Sequence, residues 1–189
     1  MRDAKDILQQ YVSDMVSLDE HIHEAIKRQI EDDRLKQFPE ASKVVHTIHA
    51  TLDTHLTGLK SQLKALGGEA SGPVKEAVSA IAGVAAGLYD KVRHDPVSKM
   101  LRDDYTALSL TAISYTMLHT TGLALQNQPI ADLAQRYLKD ITPIIIDISQ
   151  VIPGVVVKDL EDNQVLVDKA VGQEAVRKTQ AAWSTQNTK

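Results

Sequence analysis

Apolar side chains recur every three or four positions along most of this chain, and the breaks fall at residues that stop or start helices. From Asp6 to Glu31 the residues Leu8, Tyr11, Val12, Met15, Leu18, Ile22, Ala25 and Ile26 trace one helical face. Asp32 to Pro39 is charged and ends in proline. Ala41, Val45, Ile48, Leu52, Leu56, Leu59, Leu63 and Leu66 then predict a second helix, closed by Gly67-Gly68, with a further break at Ser71-Gly72-Pro73. The alanine-rich stretch Val74 to Val92 is periodic in Val74, Ala77, Val78, Ile81, Val84, Ala85 and Leu88, which predicts a closely packed helix in the connection. Asp95 suits an N-cap and Pro96 a first helical position, so a third long helix begins there.

This third helix is unusual in carrying no Asp, Glu, Lys or Arg between Tyr105 and Ala131. Such a length suggests a membrane span, but Ser109, Thr111, Ser114, Thr116, Thr120, Thr121, Gln126, Asn127 and Gln128 argue for a helix buried among others or at a subunit interface, its hydroxyls bonded back to its own backbone. After the short connection Gln126 to Pro129, Ile130, Leu133, Ala134, Tyr137, Ile141, Ile144, Ile145 and Ile148 mark a fourth long helix. Pro143 is expected to bend it and Pro153-Gly154 to end it. Val155 to Lys189 mixes a β-branched run with a polar end and reads as an arm laid over the helices or a partner.

The fold expected from this order is all-α. Two hairpins of long helices form an antiparallel up-down-up-down four-helix bundle over residues 1–152, with an additional helix in the connection, and residues 153–189 form a C-terminal arm. A five-helix bundle is the alternative. Neither an internal repeat nor a phosphate-binding glycine loop is present.

Charge and composition narrow the function. The 21 basic and 25 acidic residues leave a net charge of −4, which provides no footprint for nucleic acid or an anionic membrane. With no cysteine there is no disulfide or thiolate site, so any metal must be held by His, Asp and Glu. The polar start Met1 to Asp6 lacks the apolar run of a secretion signal, and the expected location is the cytoplasm. No strand-to-helix turn presents a serine nucleophile, which argues against hydrolase chemistry.

The segments Tyr11 to Ile22 (YVSDMVSLDEHI), His55 to Leu59 through Leu66-Gly67, and Asp95-Pro96-Val97 give the region Asp6 to Ile152 a pattern that resembles the YciE/YciF-type ferritin-like family of stress-associated bacterial proteins. The resemblance implies a ferritin-like four-helix bundle with a carboxylate and histidine metal site, fed by a Glu on helix 1, a Glu and a His on helix 2, and acidic or His residues on helices 3 and 4. Here helix 1 offers Asp19 and Glu20, and helix 2 offers His55 preceded by Thr51 and Leu52. Helix 3 offers Ala107 and Leu110 in one register or Asp103 and Thr106 in another, and helix 4 turns Ile141, Ile144 and Ile145 inward. The family site is thus expected to be degenerate.

Five of the seven histidines, His21, His23, His46, His49 and His55, lie in the first hairpin. At about 100° per residue, Asp19 and His23 lie about 40° and 80° from Met15, whereas Glu20 and Glu24 point away. On helix 2, His49 and His55 flank Leu52 and Asp53 lies about 100° off. Antiparallel pairing about residue 36 brings Asp19 level with Asp53 and His23 level with His49. Asp19, His23, His49, Asp53 and His55 are therefore the candidate ligands for iron, manganese or zinc, set against a structural polar layer that fixes register. His21 and His46 are expected in solvent, and His119 as a core histidine bonded to a hydroxyl. Asp103, Asp104 and Asp147 are read as helix-end or surface residues, and Tyr105, Tyr115 and Tyr137 as packing residues with satisfied hydroxyls. The function expected is a non-catalytic, self-associating scaffold, most simply a homodimer, with metal binding through the first hairpin as the alternative. A third reading, a small-ligand carrier, follows from the Ala/Gly-rich stretch Ala82 to Gly87.

Overall fold

The computed structural model describes residues 3–68, 96–165 and 167–184. The expected helix over Val74 to Val92, the break at Ser71-Gly72-Pro73, the cap at Asp95 and the stretch Ala82 to Gly87 lie outside these residues. The protein is all-α: α1 (Ala4–Ile30), α2 (Pro39–Ala65), α3 (Val97–Ala124), α4 (Gln128–Asp162) and α5 (Val171–Ser184), with a 3-10 turn at Leu35–Gln37. No strand occurs among the described residues.

Local chemistry sets most boundaries. The Asp3 side chain caps α1 by accepting the Lys5 amide. Helix α2 ends in paired bonds from Gly67 N–H to the Lys64 carbonyl and from Gly68 N–H to the Leu63 carbonyl, with Gly67 at φ 81°. The same closure recurs without glycine, at Gln126 (φ 55°) after α3 and at Gln164 (φ 60°) after α4. Asn127 then caps α4 by accepting the Ile130 amide. Pro96 precedes α3 as its N-cap rather than its first helical residue, and the Asp159 carboxylate of α4 takes the Ser98 amide at 2.9 Å.

Two sequence expectations need correction. Pro153-Gly154 does not end the fourth helix, which runs through both Pro143 and Pro153 to Asp162. A domain boundary at 152/153 would therefore cut a continuous helix. Each interior proline costs about 3 kcal/mol, whereas burying one Leu or Ile side chain contributes about 1.5–3 kcal/mol. The buried stripe Ile130, Leu133, Tyr137, Ile141, Ile144, Ile148 and Val155 outweighs both interruptions. Nor do the helices alternate in direction. Gln29 bonds Asp104 and Asp19 bonds Tyr115, so α1 and α3 are antiparallel, as are α2 and α4, where His55 meets Asp140 and Gly58 meets Tyr137. With α1 and α2 also antiparallel, α2 and α3 run parallel. Gly68 and Pro96 consequently lie at opposite ends of the helices.

The core is shared by the facing stripes of α1 to α4, with α1 packed on α2 and α3, and α4 packed on the same two. The arm is the helix α5, which packs on α4 where Gly172 approaches Gly154. Its Trp183 ring stands 6.5 Å from that of Tyr105. Among the described residues α4 is long and apolar enough to cross a membrane by length and composition.

At Gly122 α3 and α4 approach closely. A Cβ there would stand 2.8 Å from the Ala131 backbone nitrogen, whereas at Gly154 nothing lies within 4 Å. Gly122→Ala is expected to lower stability by about 1–3 kcal/mol, while Gly154→Ala, at an open helical position, raises it by up to about 1 kcal/mol. Urea unfolding of the two variants checks this, and equal effects would refute the close approach.

Candidate functional site

The centre of the four long helices is polar. Asp19 of α1, His55 of α2 and Tyr115 of α3 are all fully buried. Met15 and Ile22, Leu52 and Leu59, Leu118, and Ile141 flank them along the four helices and shut out water. The Tyr115 hydroxyl donates to Asp19 Oδ2 at 2.5 Å, and its oxygen lies 3.2 Å from His55 Nδ1. On the other side of the ring, His55 Nε2 stands 3.2 Å from Oδ2 of Asp140, a half-exposed residue of α4. Tyr137, one turn before Asp140, stacks on the imidazole at 3.8 Å with 10° between the planes, and Tyr115 meets both rings edge-on.

Gly58 makes room for the stack, because a Cβ at that position would fall on the Tyr137 hydroxyl. The chain ends in a groove of about 810 Å³ between α2 and α4, with His55 and Asp140 in its lining and Lys43, His46, Thr51 and Lys139 around them.

Burial governs the electrostatics. Desolvation pushes the Asp19 carboxyl up to about 7, against the opposing effect of the Tyr115 hydrogen bond. Burial lowers the His55 imidazole, partly offset by Asp140, and both phenols are raised, first by desolvation.

Two proton arrangements fit these atoms. With Asp19 ionised, Tyr115 donates to it, and His55, as an imidazolium, donates through Nδ1–H to the Tyr115 oxygen and through Nε2–H to the Asp140 carboxylate. With Asp19 neutral, its O–H donates to Tyr115, Tyr115 donates to Nδ1, and Nε2–H donates to the Asp140 carboxylate. Shifting two protons along the chain moves charge between Asp19 and His55 without moving a heavy atom.

The five candidate ligands fall into two groups. Asp19 and His55 belong to the buried chain, joined through Tyr115. His23, His49 and Asp53 meet on the flank of α1 and α2: the His23 and His49 rings are 4.3 Å apart, and His23 Nε2 is 4.0 Å from Asp53 Oδ1. Among the described residues no three His, Asp or Glu converge on one metal position as they stand. The core does not suit a family-type carboxylate centre, because both His55 nitrogens face partners, Tyr115 covers Asp19 Oδ2, and α4 turns Ile141, Ile144 and Ile148 inward.

Other residues also depart from expectation. His21 is half-buried with its Nε2 shielded from solvent, whereas His46 is exposed and bonds the Ser42 carbonyl through Nδ1. Asp104 is fully buried and accepts from Gln29 at 2.8 Å, and Asp103 is also buried beside Arg102. His119 meets the Ala131 carbonyl rather than a hydroxyl. Sequence reasoning missed Asp140; it expected Tyr115 and Tyr137 to pack with satisfied hydroxyls, as the Tyr115 hydroxyl is, but did not join them to His55. The i to i+3 spacing of Tyr137 and Asp140, with Gly58 opposite, was the available signal. No family model, curated protein or solved structure matches the chain.

The Asp19 shift fixes a sign. Its folded value lies above the ordinary 3.8, so its contribution is fully present below about 4 and is lost as pH rises to about 7. Asp19→Asn should therefore gain stability over the wild type across that window, by on the order of a few kcal/mol. His55, shifted downward, keeps its own loss of stability as pH falls below 6.5 in both proteins. Denaturation midpoints from pH 4 to 8 test this, and parallel curves would contradict a buried, protonatable Asp19.

Gly58→Ala should destabilise by about 1–3 kcal/mol in the wild type. In a Tyr137→Phe background the displaced hydroxyl is gone and most of that loss should vanish. A loss of equal size in both backgrounds would place the clash elsewhere.

Proposed function

We propose that the protein is a non-catalytic scaffold that works by self-association. It is built as a ferritin-like antiparallel four-helix bundle in which the Asp19, Tyr115, His55 and Asp140 chain stands in place of a metal centre. Parallel α2 and α3 at the centre of the order, with one long crossover between them, suit the connectivity of ferritin-like folds. The YciE/YciF resemblance adds a stress-associated role to this reading.

The observation that carries self-association is the outer face of α3. Thr106, Ile113, Met117, Thr120 and Ala124 are exposed, lie within about 60° of one another around the helix, and carry no charge. Ile113 and Met117 are each more than half exposed. The Thr106 and Thr120 hydroxyls are bonded to their own backbone and ask nothing of a partner. A strip without charge offers no complement to a charged ligand, but a two-fold related copy presents the same strip to it without repulsion.

Light scattering at micromolar concentration is expected to give twice the mass of one chain. Ile113→Glu with Met117→Glu is expected to give a monomer of unchanged helicity by circular dichroism. A monomeric wild type, a dimer that survives the double substitution, or co-sedimentation with neutral phospholipid vesicles would overturn the reading.

A further inference from the structure

The groove between α2 and α4 takes no part in self-association, and at about 810 Å³ it has the size of a small-molecule site. The antiparallel contact of His55 with Asp140 orders its walls. His55, Lys139 and Asp140 stand at one end, Thr47 and Asp147 lie farther along, and Ala50, Pro143 and Ile144 form an apolar stretch between them. Asp140 and Asp147 are seven residues apart, which places them about 10.5 Å apart along α4 and on nearly the same side of it.

Apart from two lysines, the polar groups of this groove accept hydrogen bonds and have few protons to give. The Thr47 and Thr54 hydroxyls spend theirs on the Lys43 and Ala50 carbonyls, at 2.9 and 3.1 Å, so their oxygens are left as acceptors. His46 uses Nδ1 on the Ser42 carbonyl, and in the neutral ring Nε2 is then a lone pair. Pro143 has no amide proton for the Lys139 carbonyl one turn before it. The Asp140 carboxylate is 54% exposed beside its contact with His55, and Asp147 forms no ion pair among the described residues. Lys43 and Lys139 are the exceptions, but both are exposed and carry their charge on long chains that reach water, whereas the carboxylates sit on short ones.

We propose that this groove binds a linear polyamine, with its methylene chain along Ala50, Pro143 and Ile144 and its ammonium groups at Asp140 and Asp147. An ammonium group has protons and no lone pair, which is the complement of a wall built of acceptors, and its bonds to the two carboxylates are charge-assisted. The apolar stretch between the carboxylates suits methylenes and offers nothing to a ligand that is polar throughout. A dicarboxylate of the same length would meet the lysines only by lying against both fixed carboxylates. A short monoamine would satisfy one end and leave the other in water.

The test is calorimetric titration of the full-length protein with spermidine, beside butylamine and adipate, in about 0.15 M sodium chloride to screen attraction to the net charge alone. Saturable binding of one spermidine per chain is expected, with butylamine and adipate each at least about tenfold weaker. Asp147→Asn, which removes a charge, and Ala50→Trp, which fills the groove and removes none, should each weaken spermidine binding at least about tenfold. Both positions are exposed, so matching circular dichroism separates loss of the site from loss of the fold. Asp53→Asn removes the same charge from a part of α2 outside the groove and should leave binding unchanged. No saturable binding, binding that survives both Asp147→Asn and Ala50→Trp, an equal loss in Asp53→Asn, or tighter binding of adipate would overturn the assignment. None of these residues belongs to the α3 strip, so the oligomer read by light scattering and the ligand read by calorimetry fail separately.

Discussion

A carboxyl group with no access to water at the meeting point of four helices must be neutral, paired or both, because an isolated buried charge is costly. Asp19 meets that demand through the Tyr115 hydroxyl, and the demand propagates. Tyr115 reaches Asp19 while Gln29 reaches Asp104 only if α3 lies antiparallel to α1 at one register. His55 can hold the other side of the Tyr115 oxygen only if α2 is set at the same height, and Asp140 then fixes α4. The apolar layers above and below carry most of the burial energy, yet Leu, Ile and Val contacts tolerate sliding by a turn far better than a directional hydrogen bond does. The polar layer thus selects one arrangement among several of similar apolar burial. Gly58 belongs to the same constraint, since the stack of Tyr137 on His55 needs a helix face without a Cβ beneath it.

How much of this was legible before the structure depended on range. Features set within a few residues were readable: the stripe from Leu8 to Ile26, the glycine stop at Gly67, and the turn before Pro129. The stop assigned to Pro153 failed because a local rule met a packed stripe, running from Ile130 to Val155, that outweighed it. Helix direction was harder, since periodicity shows which face is buried and is silent on which end is up. The contact of Asp19 with Tyr115 spans 96 residues of sequence and that of His55 with Asp140 spans 85, and no spacing rule connects such positions. The face arithmetic on the first hairpin did better because α1 and α2 are joined by a short turn. It placed His23 level with His49, where the rings do meet. Asp104 looked like a surface residue because its burial comes from Gln29 on another helix.

Two acidic or basic residues four positions apart on α1, Asp19 and His23, illustrate how small a rotation separates a structural group from an available one. Asp19 points into the centre, where a phenol closes over it. His23 lies farther around the helix, at the edge of the interface with α2, beside a ring and an exposed carboxylate. The same helical pitch that puts one full turn between them along the axis adds only about 40° around it. That angle is enough to change the environment from dry to half-wetted.

The consequence for chemistry follows from donor accounting. In the core Tyr115 serves Asp19 Oδ2 and His55 is held from both sides, while Asp19 Oδ1 is buried without a hydrogen-bond partner. An ion entering there would have to displace hydrogen bonds from a site that has no water to replace them, and it would leave Tyr115 or Asp140 unpaired. The flank is open instead. His23 Nε2 lacks a partner, and Asp53 is free to turn toward it without disturbing the packing. The residues that look most like a metal site in the sequence are therefore divided by the fold into a buried hydrogen-bonded chain and an open pair of rings beside an exposed carboxylate.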